Sequence, residues 1–314
     1  MHTAATILDA VVAHVDATGF AAHGIHVRTR TGATDTDDVA EHRWTPDVRR
    51  EVHSVAKGVC VVAAGIAADD GLVDVDEPIA RYLTGTGLAL GDGVDRVTLR
   101  HLLTMTSGID MPWSATELTD WPDLAAEFLR RPSRGRVFQY ANASTYTAMR
   151  VLETRVGDVG AFVAERLFAP LGIQDVDWQR CPNGFVAGGE GLALRTEEIA
   201  RLGRLIRNRG MVDGQRMVSA RWCDAMHTDW VEREGTGPGY ERYAMAGWGG
   251  PGRLWRLHGA YGQMLLFDQT EGDTGTDTDT DTDTVVTVTA DDHPGADALA
   301  AFVADELSRQ VPRC

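Results

Sequence analysis

The chain has 314 residues, 43% of them hydrophobic and 24% charged, and a formal net charge of −16. That composition suits a folded globular protein large enough for two sub-structures around a shared core. The charge disfavours nucleic acid and anionic membranes as partners, because the field repels phosphate, and no apolar run is long enough to span a bilayer.

The N-terminal residues Met1-His2-Thr3-Ala4 show no basic region followed by an apolar one, so no secretory signal is visible and a cytoplasmic location is expected. The four cysteines, Cys60, Cys181, Cys223 and Cys314, are far apart without a CxxC pair. In that context free thiols are expected in place of a disulfide framework.

Apolar residues Ala4, Ile7, Leu8, Val11, Val12 and Val15 recur at helical spacing and predict a helix over 4–17. Residues 24–28 read as a strand and 39–44 as its return, across a polar Thr/Gly/Asp turn. From about 50 to 235 the pattern is helical almost throughout, with helices over 55–68, 99–105, 124–129, 145–155, 159–167 and 197–208. Strands follow at 243–248, 253–258, 263–268 and 285–290, and a last helix spans 296–310, with Leu299, Phe302, Val303 and Leu307 on one face. Two N-terminal and about four C-terminal strands, with a helix at each end of the chain, make one antiparallel sheet of an α+β fold. Residues 1–48 and 240–314 form the sheet region, and 49–239 form a mainly helical region inserted between its halves. The Thr-Asp alternation over 273–284 lacks the fixed glycine and closing glutamate of a calcium loop, so it reads as a solvated hairpin tip and not a metal site.

Three short clusters carry chemistry. Of the 30 lysines and arginines one is lysine, Lys57, and it stands three residues after Ser54 in His53-Ser54-Val55-Ala56-Lys57-Gly58. Arginine never serves as a base at physiological pH, whereas a desolvated lysine does, and Ser-x-x-Lys is the spacing of a serine nucleophile with an amine partner. At a helix start the pair shares one face, near free N–H groups that favour an oxyanion, and the apolar run after it disfavours a charged amine. The plainer alternative is a helix cap beside a surface charge. His53 adjoins the serine, but a sequence neighbour on a helix points elsewhere.

The second cluster, Val137-Phe138-Gln139-Tyr140-Ala141-Asn142, sets a phenol and an amide two residues apart ahead of a helix. A tyrosine near a lysine relays a proton to a leaving group, although Tyr-x-Asn is also a common turn. The third, Leu257-His258-Gly259-Ala260-Tyr261-Gly262-Gln263, lies on a predicted strand, where small residues at Gly259 and Ala260 let a ligand approach the backbone. No Gly-x-Ser-x-Gly elbow, Gly-Lys pair of a P-loop, or His-Glu-x-x-His zinc helix is present. Among the tryptophans, Trp113, Trp121, Trp178 and Trp248 are candidates for a cleft wall. Trp178, in a loop followed by Gly188-Gly189, is the preferred one.

With these clusters, the runs Gly71–Ile79, Thr98–Gly108 and Arg166–Ile173 make the chain similar to the serine β-lactamase and penicillin-binding-protein superfamily. It resembles in particular the class C β-lactamase-like branch that holds esterases, D-amino-acid peptidases and nylon-oligomer-type amidases. The resemblance implies a β-lactamase/transpeptidase-like fold with the site between the sheet and helical regions, and no cofactor or metal. It makes Ser54 the acylated nucleophile, Lys57 its base, Tyr140 a proton relay and Asn142 the group orienting lysine and substrate. His258 takes the place of the lysine in Lys-Thr-Gly, Ala260 that of the glycine, and the Tyr261 backbone supplies the second oxyanion N–H beside that of Ser54. Loss of that lysine argues against penicillin turnover, since the cation binds the drug's carboxylate. The expected function is a serine hydrolase forming an acyl-enzyme on a small ester or amide. Its alternatives are a β-lactamase or D-amino-acid carboxypeptidase, acyl transfer to an acceptor other than water, and a catalytically silent binding homologue.

Overall fold

The computed structural model describes residues 3–31, 36–111, 121–234, 236–250, 254–268 and 282–309. Among them, eight strands form one antiparallel sheet: β1 (Ala22–Thr31), β2 (Asp38–Arg43), β3 (Val231–Glu232), β4 (Arg242–Tyr243), β5 (Trp248–Gly249), β6 (Leu254–Gly259), β7 (Gln263–Asp268) and β8 (Thr282–Ala290). Their spatial order is β2-β1-β8-β7-β6-β5-β4-β3. The longer helices are α1 (Ala4–Thr18), α2 (Ala56–Asp69), α3 (Asn142–Val156), α4 (Thr196–Arg207) and α5 (Ala296–Ser308).

Strand alternation sorts the side chains into two cores. Ile25 and Val27 of β1 pair with Val288 and Val286 of β8, which pair in turn with Met264 and Leu266 of β7. This face is closed by Ile7, Leu8 and Val11 of α1 and by Leu299, Val303 and Leu307 of α5. The intervening residues point the other way. Trp255 and Leu257 of β6, Leu265 and Phe267 of β7 and Val285 of β8 join a larger core with α2 and α4. Trp255 and Phe267 stack with centroids 4.0 Å apart, worth about 0.5–1.5 kcal/mol beyond their burial. Because both faces of β7 are covered, all six of its residues are buried, which is why it reads as an unbroken apolar run.

Helix α2 is buried from Ala56 to Ala67, as expected of a helix that is apolar all round. It lies between the sheet and the other helices, and a Cβ on Gly58 would come 2.5 Å from Leu257 Cδ1. That contact fixes Leu257 on the α2 side of β6.

The antiparallel sheet and its terminal helices agree with the sequence reading, with three corrections. The sheet gains β3, whose residues 231–232 fall in the segment assigned to the helical region. The expected strand 243–248 is instead two short strands, β4 and β5, around a turn in which Ala246 takes φ +67°. The central block is less helical than expected: 104–111, 130–141 and 169–192 are largely turns and extended chain, because Gly, Pro and Asp punctuate the apolar spacing there. The tract 273–281 and Trp113 lie outside the described residues. Cys60, Cys181 and Cys223 are free and buried, and burial pushes the Cys60 and Cys223 thiols up to about 12.

Candidate active site

Ser54 sits in a short 3₁₀ turn, His53–Val55, that feeds directly into α2. His53, just before it, takes φ +48°, a left-handed conformation uncommon for a residue other than glycine. The turn brings Ser54 and Lys57 together: Lys57 Nζ lies 2.9 Å from Ser54 Oγ. Lys57 is 2% exposed. Its Nζ also donates to Asn142 Oδ1 at 2.7 Å and to the Gly189 carbonyl at 3.0 Å.

The chemistry of those three partners differs. A carbonyl oxygen and an amide oxygen are acceptors alone, whereas a hydroxyl both gives and takes a proton. As an ammonium, Lys57 donates to all three. As a free amine its two N–H groups go to Asn142 and Gly189, which leaves the lone pair facing the Ser54 hydroxyl. The arrangement therefore accommodates both protonation states without moving a heavy atom.

Tyr140 and Asn142 reach the pair from a segment tied to the Thr106-Ser107-Gly108 loop. The Gly108 N–H donates to the Val137 carbonyl at 3.2 Å and the Gln139 N–H to the Met105 carbonyl at 2.8 Å. Ala141, between Tyr140 and Asn142, is extended, with φ −151° and ψ 132°, and Asn142 opens α3. Lys57 Nζ stands 4.9 Å from the centroid of the Tyr140 ring, which packs on Tyr243 at 5.8 Å and Trp248 at 5.2 Å. Of the candidate tryptophans Trp248 comes against Tyr140. Trp178 is instead buried, and its indole N–H donates to the Glu190 carbonyl at 3.0 Å, so it supports the site from beneath.

The segment Gly188–Gly191 completes the lysine's surroundings. A Cβ on Gly189 would fall 2.8 Å from Lys57 Nζ, so this backbone is as close as glycine alone permits. Glu190 accepts a hydrogen bond from Asn142 Nδ2, which orients the amide with its oxygen toward Lys57. The Gly191 N–H donates to Glu51 Oε1 at 2.8 Å. Sequence reasoning noted the glycine pair but not Glu190 or Glu51. A carboxylate inside a Gly-Gly-Glu-Gly run was the available signal.

Gly259 packs against the turn before Ser54: a Cβ there would collide with the Val52 carbonyl oxygen and lie 3.2 Å from His53 Cβ. Its neighbours depart from the expected roles. His258 alternates onto the opposite face from Leu257 and Gly259, the face covered by the terminal helices. It lies 3.3 Å from the Tyr240 hydroxyl, which donates to Asp297 of α5 at 2.8 Å. Burial and the nearby Arg256 lower its pKa to about 4, so it is neutral at physiological pH. Leu257, not His258, occupies the α2 side. The Tyr261 amide is likewise engaged elsewhere: its N–H donates to His293 Nδ1 at 3.3 Å and its carbonyl accepts from the Asp292 N–H at 3.1 Å. Tyr261 takes φ +60° in the tight turn between β6 and β7, which carries it toward the segment 291–293. Ala260, one residue earlier, is the part of that turn next to Gly259.

Among the described residues no group of three or more His, Cys, Asp or Glu side chains is placed to hold a metal ion, and no helix is long and apolar enough to cross a membrane.

The sequence profile of the Beta-lactamase family matches residues 6–308. A 6-aminohexanoate-dimer hydrolase of Paenarthrobacter ureafaciens is 25% identical over 205 residues, covering 58% of this chain and 52% of that protein. The chain thus spans about half the length of the curated relatives it matches. Among solved structures, a Bacteroides dorei protein provisionally described as a beta-lactamase superposes with a TM-score of 0.71 at 17% identity, over 96% of this chain and 98% of that one. The D-amino acid amidase of Ochrobactrum anthropi, solved with L-phenylalanine amide, superposes with a TM-score of 0.68 at 15% identity, over 96% and 98%. The fold is β-lactamase/transpeptidase-like.

Proposed function

The chain belongs to the Beta-lactamase family of serine hydrolases, and on that premise we propose that it hydrolyses a small ester or amide through an acyl-enzyme on Ser54. The observation that carries this reading is the 2.9 Å approach of a buried amine to the Ser54 hydroxyl, with two acceptor-only oxygens taking the amine's other hydrogens.

Ser54 Oγ attacks the substrate carbonyl and its proton passes to Lys57 Nζ, forming the C–O bond as the carbonyl π pair moves to oxygen. The resulting oxyanion is held by backbone N–H groups. The Ser54 amide is one, and the Ala260 amide replaces the expected Tyr261 amide, which His293 occupies. Collapse of the intermediate breaks the bond to the leaving group, which takes the proton from Lys57 by way of the Tyr140 hydroxyl. A water molecule then attacks the acyl-enzyme, giving its proton to the same relay, and the acid leaves as Ser54 recovers its hydrogen.

Amides are supported by the names of relatives, a 6-aminohexanoate-dimer hydrolase and a D-amino acid amidase. Penicillin turnover is disfavoured, because Leu257 stands on the α2 side of β6 and the neutral His258 faces away. Treatment with a fluorophosphonate, followed by intact mass and peptide mapping, tests the reading. A single adduct on Ser54, absent from Ser54→Ala, together with turnover of a p-nitrophenyl ester, is the expected result. No adduct and no turnover would overturn it.

A further inference from the structure

His53, which leads into Ser54, takes φ +48°, a conformation costly to a residue with a Cβ that persists where the surroundings hold it. The neighbouring chain that steadies this turn is the segment 191–194. Arg50 and Glu51 pair antiparallel with Leu194 and Ala193, and the Val52 N–H donates to the Leu192 carbonyl at 2.8 Å. Glu51 carries the pairing one step further through its side chain. Its Oε1 accepts from the Gly191 N–H at 2.8 Å and stands 3.4 Å from His53 Nδ1. One carboxylate oxygen therefore touches the residue before the nucleophile and the segment whose Gly189 carbonyl accepts from Lys57 Nζ.

We infer that Glu51 is a positioning residue, holding the Gly189–Gly191 segment against the nucleophile turn and so fixing the approach of Lys57 to Ser54; this rests on the acyl-enzyme reading above. Lys57 Nζ touches both sides of that junction, Ser54 Oγ at 2.9 Å and the Gly189 carbonyl at 3.0 Å. A change in the gap between them therefore falls on the amine. The backbone pairing runs as far as Val52 and Leu192, and the Glu51 side chain extends it to Gly191, two residues from the carbonyl that Lys57 uses. Gly191 is held from its other side as well, since its carbonyl accepts from the Gln179 N–H at 2.8 Å. Burial lowers the His53 pKa from 6.5, so at about pH 8 that ring is neutral and the Gly191 bond is the main contact of the carboxylate. The role then asks for an acceptor oxygen, which glutamine supplies and alanine does not. Because the Glu51 side chain is 43% exposed, water shares the bond, and its loss is worth about tenfold, the low end for a charged acceptor.

The experiment measures kcat and KM on a p-nitrophenyl ester, and the rate of Ser54 labelling by a fluorophosphonate, at about pH 8 in Glu51→Ala and Glu51→Gln, with a thermal melt of each. Glu51→Ala is expected to lower kcat and the labelling rate about tenfold while KM stays within about twofold. Glu51→Gln, whose amide oxygen still accepts from Gly191, is expected to stay within about threefold of the wild type. Added to Gly189→Ala, which displaces the same amine, Glu51→Ala is expected to cost less than about threefold more. Wild-type rates in Glu51→Ala, a loss carried by KM, a glutamine variant as slow as the alanine one, or full additivity with Gly189→Ala overturns the inference and leaves the hydrolase reading standing. If the wild type itself forms no adduct and turns over no ester, the acyl-enzyme reading falls and the inference with it.

Discussion

Replacing Gly189 by alanine tests the lysine's placement with one methyl group. Gly189 is not among the residues with positive φ, so alanine meets no backbone strain there. The new Cβ would lie 2.8 Å from Lys57 Nζ and 3.0 Å from Cε. Ordinary contact begins near 3.5 Å, so the end of the lysine must move by about 0.5–1 Å. It cannot retreat into its other partners, because Ser54 Oγ and Asn142 Oδ1 already stand at 2.9 and 2.7 Å. The side chain must slip sideways, which takes its bond to Ser54 out of hydrogen-bonding range. A displacement of that size at a reacting group costs about 100-fold in rate. The measurements are kcat/KM on a p-nitrophenyl ester and the rate of fluorophosphonate labelling, with a thermal melt to show that the fold is kept. The loss should run through the amine, so in a Lys57→Met background the same Gly189→Ala change should cost less than about twofold. Wild-type labelling rates in Gly189→Ala, or an undiminished penalty in the double variant, would refute the reasoning.

Tyr140→Phe should slow hydrolysis of a p-nitroanilide by about 100-fold but of a p-nitrophenyl ester by less than tenfold, because nitrophenolate leaves without a proton; equal losses would remove Tyr140 from the relay. Gly259→Ala forces a methyl onto the Val52 carbonyl, a backbone atom that cannot swing aside. It should destabilise the protein by about 1–3 kcal/mol in a denaturant titration and slow Ser54 labelling. Burial lowers both His26 and His258 from 6.5 to about 4. Between those values the unfolded chain binds the protons and the folded one does not, so stability present above pH 6.5 is lost as pH falls toward 4, by up to about 3 kcal/mol per histidine. Denaturant midpoints measured across that range should flatten in His26→Gln and His258→Gln, and an unchanged slope would contradict the assignment.

Why the sequence revealed the pair Ser54 and Lys57 but misplaced His258 comes down to the range of the interactions involved. A Ser-x-x-Lys spacing at the mouth of a helix is local: three residues of helical turn bring the side chains onto one face whatever the rest of the chain does. The two-residue step from Tyr140 to Asn142 is local in the same sense, and the buried runs of α2 and β7 announce themselves by composition. The face a strand residue takes is not local. It depends on register, and a shift of one residue exchanges every inward side chain for an outward one. Reading His258-Gly259-Ala260 as the motif places the histidine toward the nucleophile. The contact of Leu257 with Gly58 shifts that frame by one residue, making Leu257-His258-Gly259 the run beside the site. The same shift bears on Tyr261, whose amide turns toward His293, and it is the ground for proposing the Ala260 amide as the oxyanion donor. Glu190 was hidden for a related reason: it lies 48 residues from Asn142 in the chain, and their hydrogen bond exists because the loop 169–192 folds back over α3. The residues proposed for bond-breaking could thus be read from short spacings, whereas the surroundings of the pair depend on how distant loops and strand registers meet.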